Sequence, residues 1–134
     1  CILTPHPREF ERLFGKFEDS YSRLKVQMEF SKKKKCVVVL KGAHTTITSP
    51  AGEAWFNVTG NPGMATGGSG DVLTGIILGL LAQGYSTFEA ALLGVYIHGL
   101  SGDIAIERSS QYSLSASKII ESLGSAFSLL EKTS

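Results

Sequence analysis

Apolar residues at Phe10, Leu13, Phe14 and Phe17 recur at helical spacing. Asp19-Ser20 then offers a cap for a second helix that carries Tyr21, Leu24 and Met28 and ends in Lys32 to Lys35. Cys36 to Leu40 is apolar without alternation, as expected of a strand covered on both faces in a parallel sheet, and Gly42 ends it. Thr45 to Thr48 and Ala54 to Val58 read as hairpin arms around the turn Ser49-Pro50-Ala51-Gly52. Val72, Leu73, Ile76, Ile77, Leu80 and Leu81 mark a strongly apolar helix stopped at Gln83-Gly84. Ser86 or Thr87 caps the next, which buries Ala91, Leu92, Val95 and Tyr96 and runs past Gly102 towards Ile106. Ser113 is expected to open the last, with Ile119, Ile120, Leu123, Phe127 and Leu130 along one side. Buried strands, a hairpin and then successive helices predict an α/β fold. Cys1-Ile2-Leu3 reads as the end of a buried strand, so the chain is expected to start inside a domain.

Composition changes this picture little. The 134 residues are 43% hydrophobic and 19% charged, ordinary for a globular domain, and the apolar stretches fall short of a membrane span. The net charge of +1 depends on the lysine run, without which the chain is mildly acidic. Lysines suit the negative end of a helix dipole, and no aromatic residues interleave with them as a stacking platform for nucleic acid requires. Two cysteines, Cys1 and Cys36, make neither a metal motif nor a disulfide framework, which fits a reducing, cytoplasmic setting.

Chemistry concentrates between Asn61 and Gly75. Gly67-Gly68-Ser69-Gly70 lies at the expected start of the apolar helix, where unpaired N–H groups and the helix dipole favour an anion. Glycines let backbone approach phosphate oxygens closely. Asp71 in the first turn is either a helix-stabilising carboxylate or a proton acceptor for a hydroxyl that attacks a phosphoryl group. The stretch is not a P-loop, since no Gly-Lys-Ser/Thr follows the glycines. It misses the dinucleotide fingerprint at Leu73, and Gly67-Gly68-Ser69-Gly70-Asp71 is no nucleophile elbow.

Asn61-Pro62-Gly63-Met64-Ala65-Thr66-Gly67-Gly68-Ser69-Gly70-Asp71-Val72-Leu73-Thr74-Gly75 resembles the signature of the ADP/ATP-dependent NAD(P)H-hydrate dehydratases, ribokinase-like proteins that repair hydrated nicotinamide cofactors. Three other stretches agree in order and spacing: Thr4-Pro5-His6-Pro7, Val39-Leu40-Lys41-Gly42-Ala43-His44-Thr45, and His98-Gly99-Leu100-Ser101-Gly102-Asp103. The resemblance implies a ribokinase-like three-layer sandwich with a mainly parallel central sheet, residues 1–134 supplying the C-terminal part of a single domain. It implies phosphorylation of the hydrate hydroxyl of hydrated NADH or NADPH from ADP or ATP, with Mg²⁺ on the nucleotide phosphates, followed by loss of phosphate.

By the same resemblance Asp71 is the catalytic base, and His6 joins it on the substrate side. The nucleotide contacts fall on Lys41, Gly42, Ala43, His44 and Thr45, and on Asn61, Pro62, Gly63, Met64, Ala65, Thr66, Gly67, Gly68, Ser69 and Gly70. No protein metal ligands are implied. Arg8 departs from the glycine usual in its motif; His98 reads as a packed, hydrogen-bonded residue, and Asp103 receives no role. A homo-oligomer, or association with the N-terminal part of the domain, is expected; nucleic acid and membrane are not. Two other readings stay open: a ribokinase-superfamily kinase of a small alcohol such as a sugar or hydroxymethylpyrimidine, and a non-catalytic nucleotide-binding module.

Overall fold

Proline without an N–H, a histidine that can accept a hydrogen bond and a glutamate three residues on make a helix start at Pro7. The computed structural model describes residues 1–133, so Ser134 of the expected 1–134 domain lies outside the described residues. The chain divides into two units, Cys1–Asn57 with Ser86–Leu92, and Val58–Tyr85 with the residues from Leu93 onward.

In the first unit, helix α1 (Pro7–Phe14) is closed by a capping box. The Arg8 N–H donates to His6 Nδ1 (3.1 Å) and the His6 N–H donates to Glu9 Oε1 (3.1 Å). The helix ends before Phe17 because Gly15 takes a positive φ of 85°. Phe17 still returns to the cluster, its ring 5.7 Å from Phe10, while Phe14 lies 4.7 Å from Phe10 and 5.3 Å from Phe30.

Asp19 caps α2 (Ser20–Lys34) by accepting from the Ser22 N–H at 2.7 Å, as the pattern predicts. The face that α2 buries is another matter. Tyr21 is exposed, whereas Gln27 and Ser31 are fully buried. Gln27 Nε2 donates to the carbonyls of Val38 and Thr46, its Oε1 accepts from Thr46 Oγ1, and Ser31 Oγ meets Thr48 Oγ1 at 2.6 Å. A polar seam one helical turn long therefore joins α2 to two strands, each member hydrogen-bonded as burial requires.

The sheet runs β1 (Ile2–Leu3), β2 (Val37–Leu40), β3 (Thr46–Thr48), β4 (Ala54–Phe56), in that spatial order. β1 lies parallel to β2, with Ile2 opposite Val37, but β2, β3 and β4 pair antiparallel. The sheet is thus mixed rather than mainly parallel over these residues, because the hairpin supplies half its strands. All four residues of β2 are buried as their continuous apolar run demands, yet Leu3 on β1 is exposed. Trp55 on β4 sets its ring edge-on to Phe88, 6.4 Å away.

The second unit is helical. A 3₁₀ turn (Pro62–Met64) precedes α3 (Ser69–Ala82), whose Leu73, Ile77 and Leu80 are buried. α3 stops in a Schellman motif: Gly84 N–H bonds to Leu81 O (3.0 Å), Tyr85 N–H to Leu80 O (3.3 Å), and Gly84 takes φ 97°. α4 (Thr87–Glu107) begins in the first unit, capped by reciprocal bonds between Ser86 and Glu89, and continues through the second. Tyr96 on it is exposed rather than buried.

Ser113 ends a further 3₁₀ turn (Gln111–Ser113) instead of opening a helix; Ser115 is the cap that starts α5 (Ala116–Glu121). One residue, Ser122, then separates α5 from α6 (Leu123–Thr133). Leu114, Ile119 and Ala105 form a buried cluster against which Met64, Val72 and Ile106 pack. No helix among the described residues is long and apolar enough to cross a membrane.

Candidate functional site

The glycine-rich stretch enters α3 as its sequence implies. Gly68 is the residue before the helix and sits at φ 87°, a backbone state that side chains rarely adopt; a Cβ there would also lie 3.2 Å from Ala116 Cβ. Ser69 N–H folds back onto Thr66 O (3.2 Å) and Val72 N–H bonds Gly68 O (3.1 Å). Between them, the Gly70 and Asp71 N–H groups are left at the positive end of the helix dipole for an anionic ligand. The Asp71 side chain stands exposed in that first turn. It borders a largely apolar groove of about 510 Å³ that Val72, Gly75, Ile76, Leu123 and Phe127 also line. Ser69 is buried and its hydroxyl is 3.2 Å from His98 Nε2.

The loop before α3 is fastened to α4. Thr59 Oγ1 donates to Tyr96 O (3.0 Å), Gly60 N–H donates to Asp103 Oδ2 (2.9 Å), and Asn61 Nδ2 donates to Asp103 Oδ1 (2.9 Å). Asn61 Oδ1 accepts from Gly63 N–H (3.0 Å), capping the 3₁₀ turn. The loop packs closely on two glycines of α4, against main chain at one and against a side chain at the other. A Cβ on Gly99 would strike Thr59, main chain included, and one on Gly102 would strike the Met64 side chain.

In the first unit, Lys41 N–H donates to Pro5 O (3.1 Å), which ties the end of β2 to the Thr4-Pro5-His6-Pro7 turn. His6 is exposed, and because its Nδ1 accepts the Arg8 N–H, the ring's own N–H in the neutral form is at Nε2. Lys41 is half-buried, Gly42 to His44 are exposed, and the Thr45 hydroxyl lies 3.5 Å from Gly42 O, too long for a strong bond. Among the described residues no three His, Cys, Asp or Glu side chains cluster as a metal site.

A model of the NAD(P)H-hydrate dehydratase family matches residues 1–124. The chain belongs to that family. A bifunctional NAD(P)H-hydrate repair enzyme of Thermofilum pendens is 46% identical over 133 residues, 98% of this chain and 25% of that protein. The solved ADP/ATP-dependent NAD(P)H-hydrate dehydratase of Bacillus subtilis, co-crystallized with ATP and Mg²⁺, superposes with a TM-score of 0.87 at 38% identity, over 95% of this chain and 47% of that one. A ribokinase-like superfamily protein of Enterococcus faecalis gives a TM-score of 0.76 at 40% identity, over 91% of this chain and 42% of that one. The fold is accordingly the ribokinase-like α/β sandwich, and the chain spans between a quarter and a half of these relatives.

Within this dehydratase family member, sequence reasoning singled out the glycine-rich turn and Asp71 but gave Asp103 no role. The signal was present in the spacing. Tyr96, Gly99, Gly102 and Asp103 fall on one face of a helix, and two glycines beside a carboxylate on one face mark close approach by another backbone.

Proposed function

We propose that the protein carrying this chain restores reduced nicotinamide cofactors by nucleotide-dependent dehydration of hydrated NADH or NADPH. The observation that carries the reading is the start of α3, where two ligand-ready N–H groups and the exposed Asp71 carboxylate share one helical turn. Asp71 takes the proton of the hydrate hydroxyl as its oxygen attacks the terminal phosphoryl group of ADP or ATP, whose bridging P–O bond breaks to release AMP or ADP. The Gly70 and Asp71 amides neutralise charge on the transferring group, as fixed donors do best. Phosphate is a far better leaving group than hydroxide, so the ring nitrogen's lone pair then expels it, and loss of a proton from the adjacent ring carbon regenerates the reduced ring.

Residues 1–134 are read as the C-terminal part of one ribokinase-like domain. Lys41 to Thr45 and Asn61 to Gly70 serve the nucleotide, and His6 lies on the substrate side. Mg²⁺ accompanies the phosphates. Two unpaired cysteines, one of them buried, support a reducing cytoplasmic setting, and exposed Leu13, Phe14 and Phe56 support assembly with further protein, another copy or the rest of the domain.

The test is recovery of reduced-nicotinamide absorbance when the intact protein meets hydrated NADH, Mg²⁺ and either ADP or ATP. A nucleotide-dependent rise that Asp71→Ala abolishes is expected, and the nucleotide that supports it is the donor. A folded protein that binds nucleotide but gives no rise, while phosphorylating a small alcohol, would replace this reading with a kinase.

A further inference from the structure

The Asp103 carboxylate on α4 grips the loop leading into α3, and the catalytic scheme gives it no task. Both of its oxygens are engaged, Oδ2 by the Gly60 N–H and Oδ1 by Asn61 Nδ2, each at 2.9 Å. The orientation of the Asn61 amide is fixed by chemistry: its oxygen must face the Gly63 N–H and its nitrogen must face the carboxylate. The Asn61 side chain is therefore spent inward, in shaping the loop, and its backbone and the turn it caps are what remain for a ligand. Gly99 and Gly102, on the same face of α4, let the loop come close enough for these bonds to form.

We propose that Asp103 is a positioning residue that sets the nucleotide-binding loop, holding Gly60 and Asn61 in the geometry from which residues 62–70 approach the phosphates. This rests on the reading of that loop as the nucleotide site. Charged hydrogen bonds hold geometry more firmly than neutral ones, and a loop held before the nucleotide arrives loses less freedom on binding. The consequence belongs to nucleotide affinity and not to the chemical step, since Asp103 touches no reacting group.

A swap of the two partners tests it. Asp103→Asn leaves one acceptor where two are needed and sets one amide nitrogen against another. Asn61→Asp alone brings two carboxylates face to face. The double variant Asn61→Asp with Asp103→Asn rebuilds every bond: the new Asp accepts from Gly63 N–H and from the new Asn, whose oxygen accepts from Gly60 N–H. Net charge is unchanged.

In the intact protein, binding of Mg²⁺ with ADP or ATP is measured by calorimetry, and exchange of the Gly60 amide hydrogen is followed without nucleotide. Each single variant is expected to weaken binding about tenfold or more and to speed Gly60 exchange, and Asp103→Asn is expected to keep kcat at saturating nucleotide within about twofold. The double variant is expected to recover both. Single variants that bind as wild type, or a double variant no better than the singles, would overturn the proposal. Should Asp103→Asn fail to fold, the double variant decides alone. Binding without dehydration in the wild type would remove the proposed reaction and leave the clamp to be judged on these readouts; a wild type that binds no nucleotide would overturn both.

Discussion

Gly99→Ala is the most direct probe of how the loop lies on α4. In an open helix the change is favourable by about 1 kcal/mol, because alanine loses less backbone freedom. At this position the new methyl would lie 2.7 Å from the Thr59 carbonyl carbon and 2.8 Å from Thr59 Cβ, with the Thr59 hydroxyl closer still. Carbon atoms rest at about 3.5–4.0 Å, so the segment must withdraw by about 1 Å. Main chain cannot swing aside as a side-chain tip does. Overpacking of this kind costs about 1–3 kcal/mol. Withdrawal also strains the 3.0 Å bond from Thr59 to the Tyr96 carbonyl, worth about 1 kcal/mol. After the propensity gain the net loss is about 1–3 kcal/mol, which lowers the melting temperature of a domain of ordinary size by about 2–12 °C. Gly79→Ala on α3 is the control, for nothing lies within 4 Å of its Cβ, and it should raise stability. Thermal unfolding of the two variants of the intact protein gives opposite signs if the packing is as described. A Gly99→Ala protein as stable as the Gly79→Ala one would refute the reasoning.

Asp71→Asn keeps the shape of the first turn but removes the base, so turnover should fall by about 10²–10⁴-fold with nucleotide affinity largely retained; single-turnover kinetics beside calorimetry checks both. Gln27→Leu leaves the Thr46 O–H donor and two strand carbonyls without their side-chain partner, and should cost about 2 kcal/mol or more in urea unfolding. Two carboxylates sit below their ordinary range, Asp19 through hydrogen bonds led by the Ser22 N–H and Glu89 through those from the Ser86 hydroxyl and N–H. A lowered native pKa means that these caps contribute fully above the ordinary carboxylate value of about 4 and lose that contribution as pH falls below it. Melting temperature should drop through that window, and less steeply in Glu89→Gln.

What the sequence made legible was local. The glycine-rich entry to α3, the cap at Asp19, the hairpin turn and the long α4 all follow from residues within a few positions of one another. The buried seam of Gln27 and Ser31 did not, because a polar residue on a helix reads as solvent-facing until the threonines of a strand 17 and 19 positions away are seen to satisfy it. The break at Ser122 was hidden for a different reason: apolar spacing continues across α5 and α6, so periodicity sees one helix where the chain makes two. Asp71 could be named as a candidate base from its place after the glycines. Asp103 could not be given a role, since its meaning depends on which loop crosses α4.

The bonds that set this loop join residues 42 and 43 positions apart. At a synthesis rate of about 5–20 residues per second, Gly60 and Asn61 leave the ribosome about 2–8 s before Asp103 does. Until then the segment has neither its carboxylate nor the glycine face that admits it. The part of the molecule that most resembles a finished motif on paper acquires its shape only once a helix made some forty residues later is present.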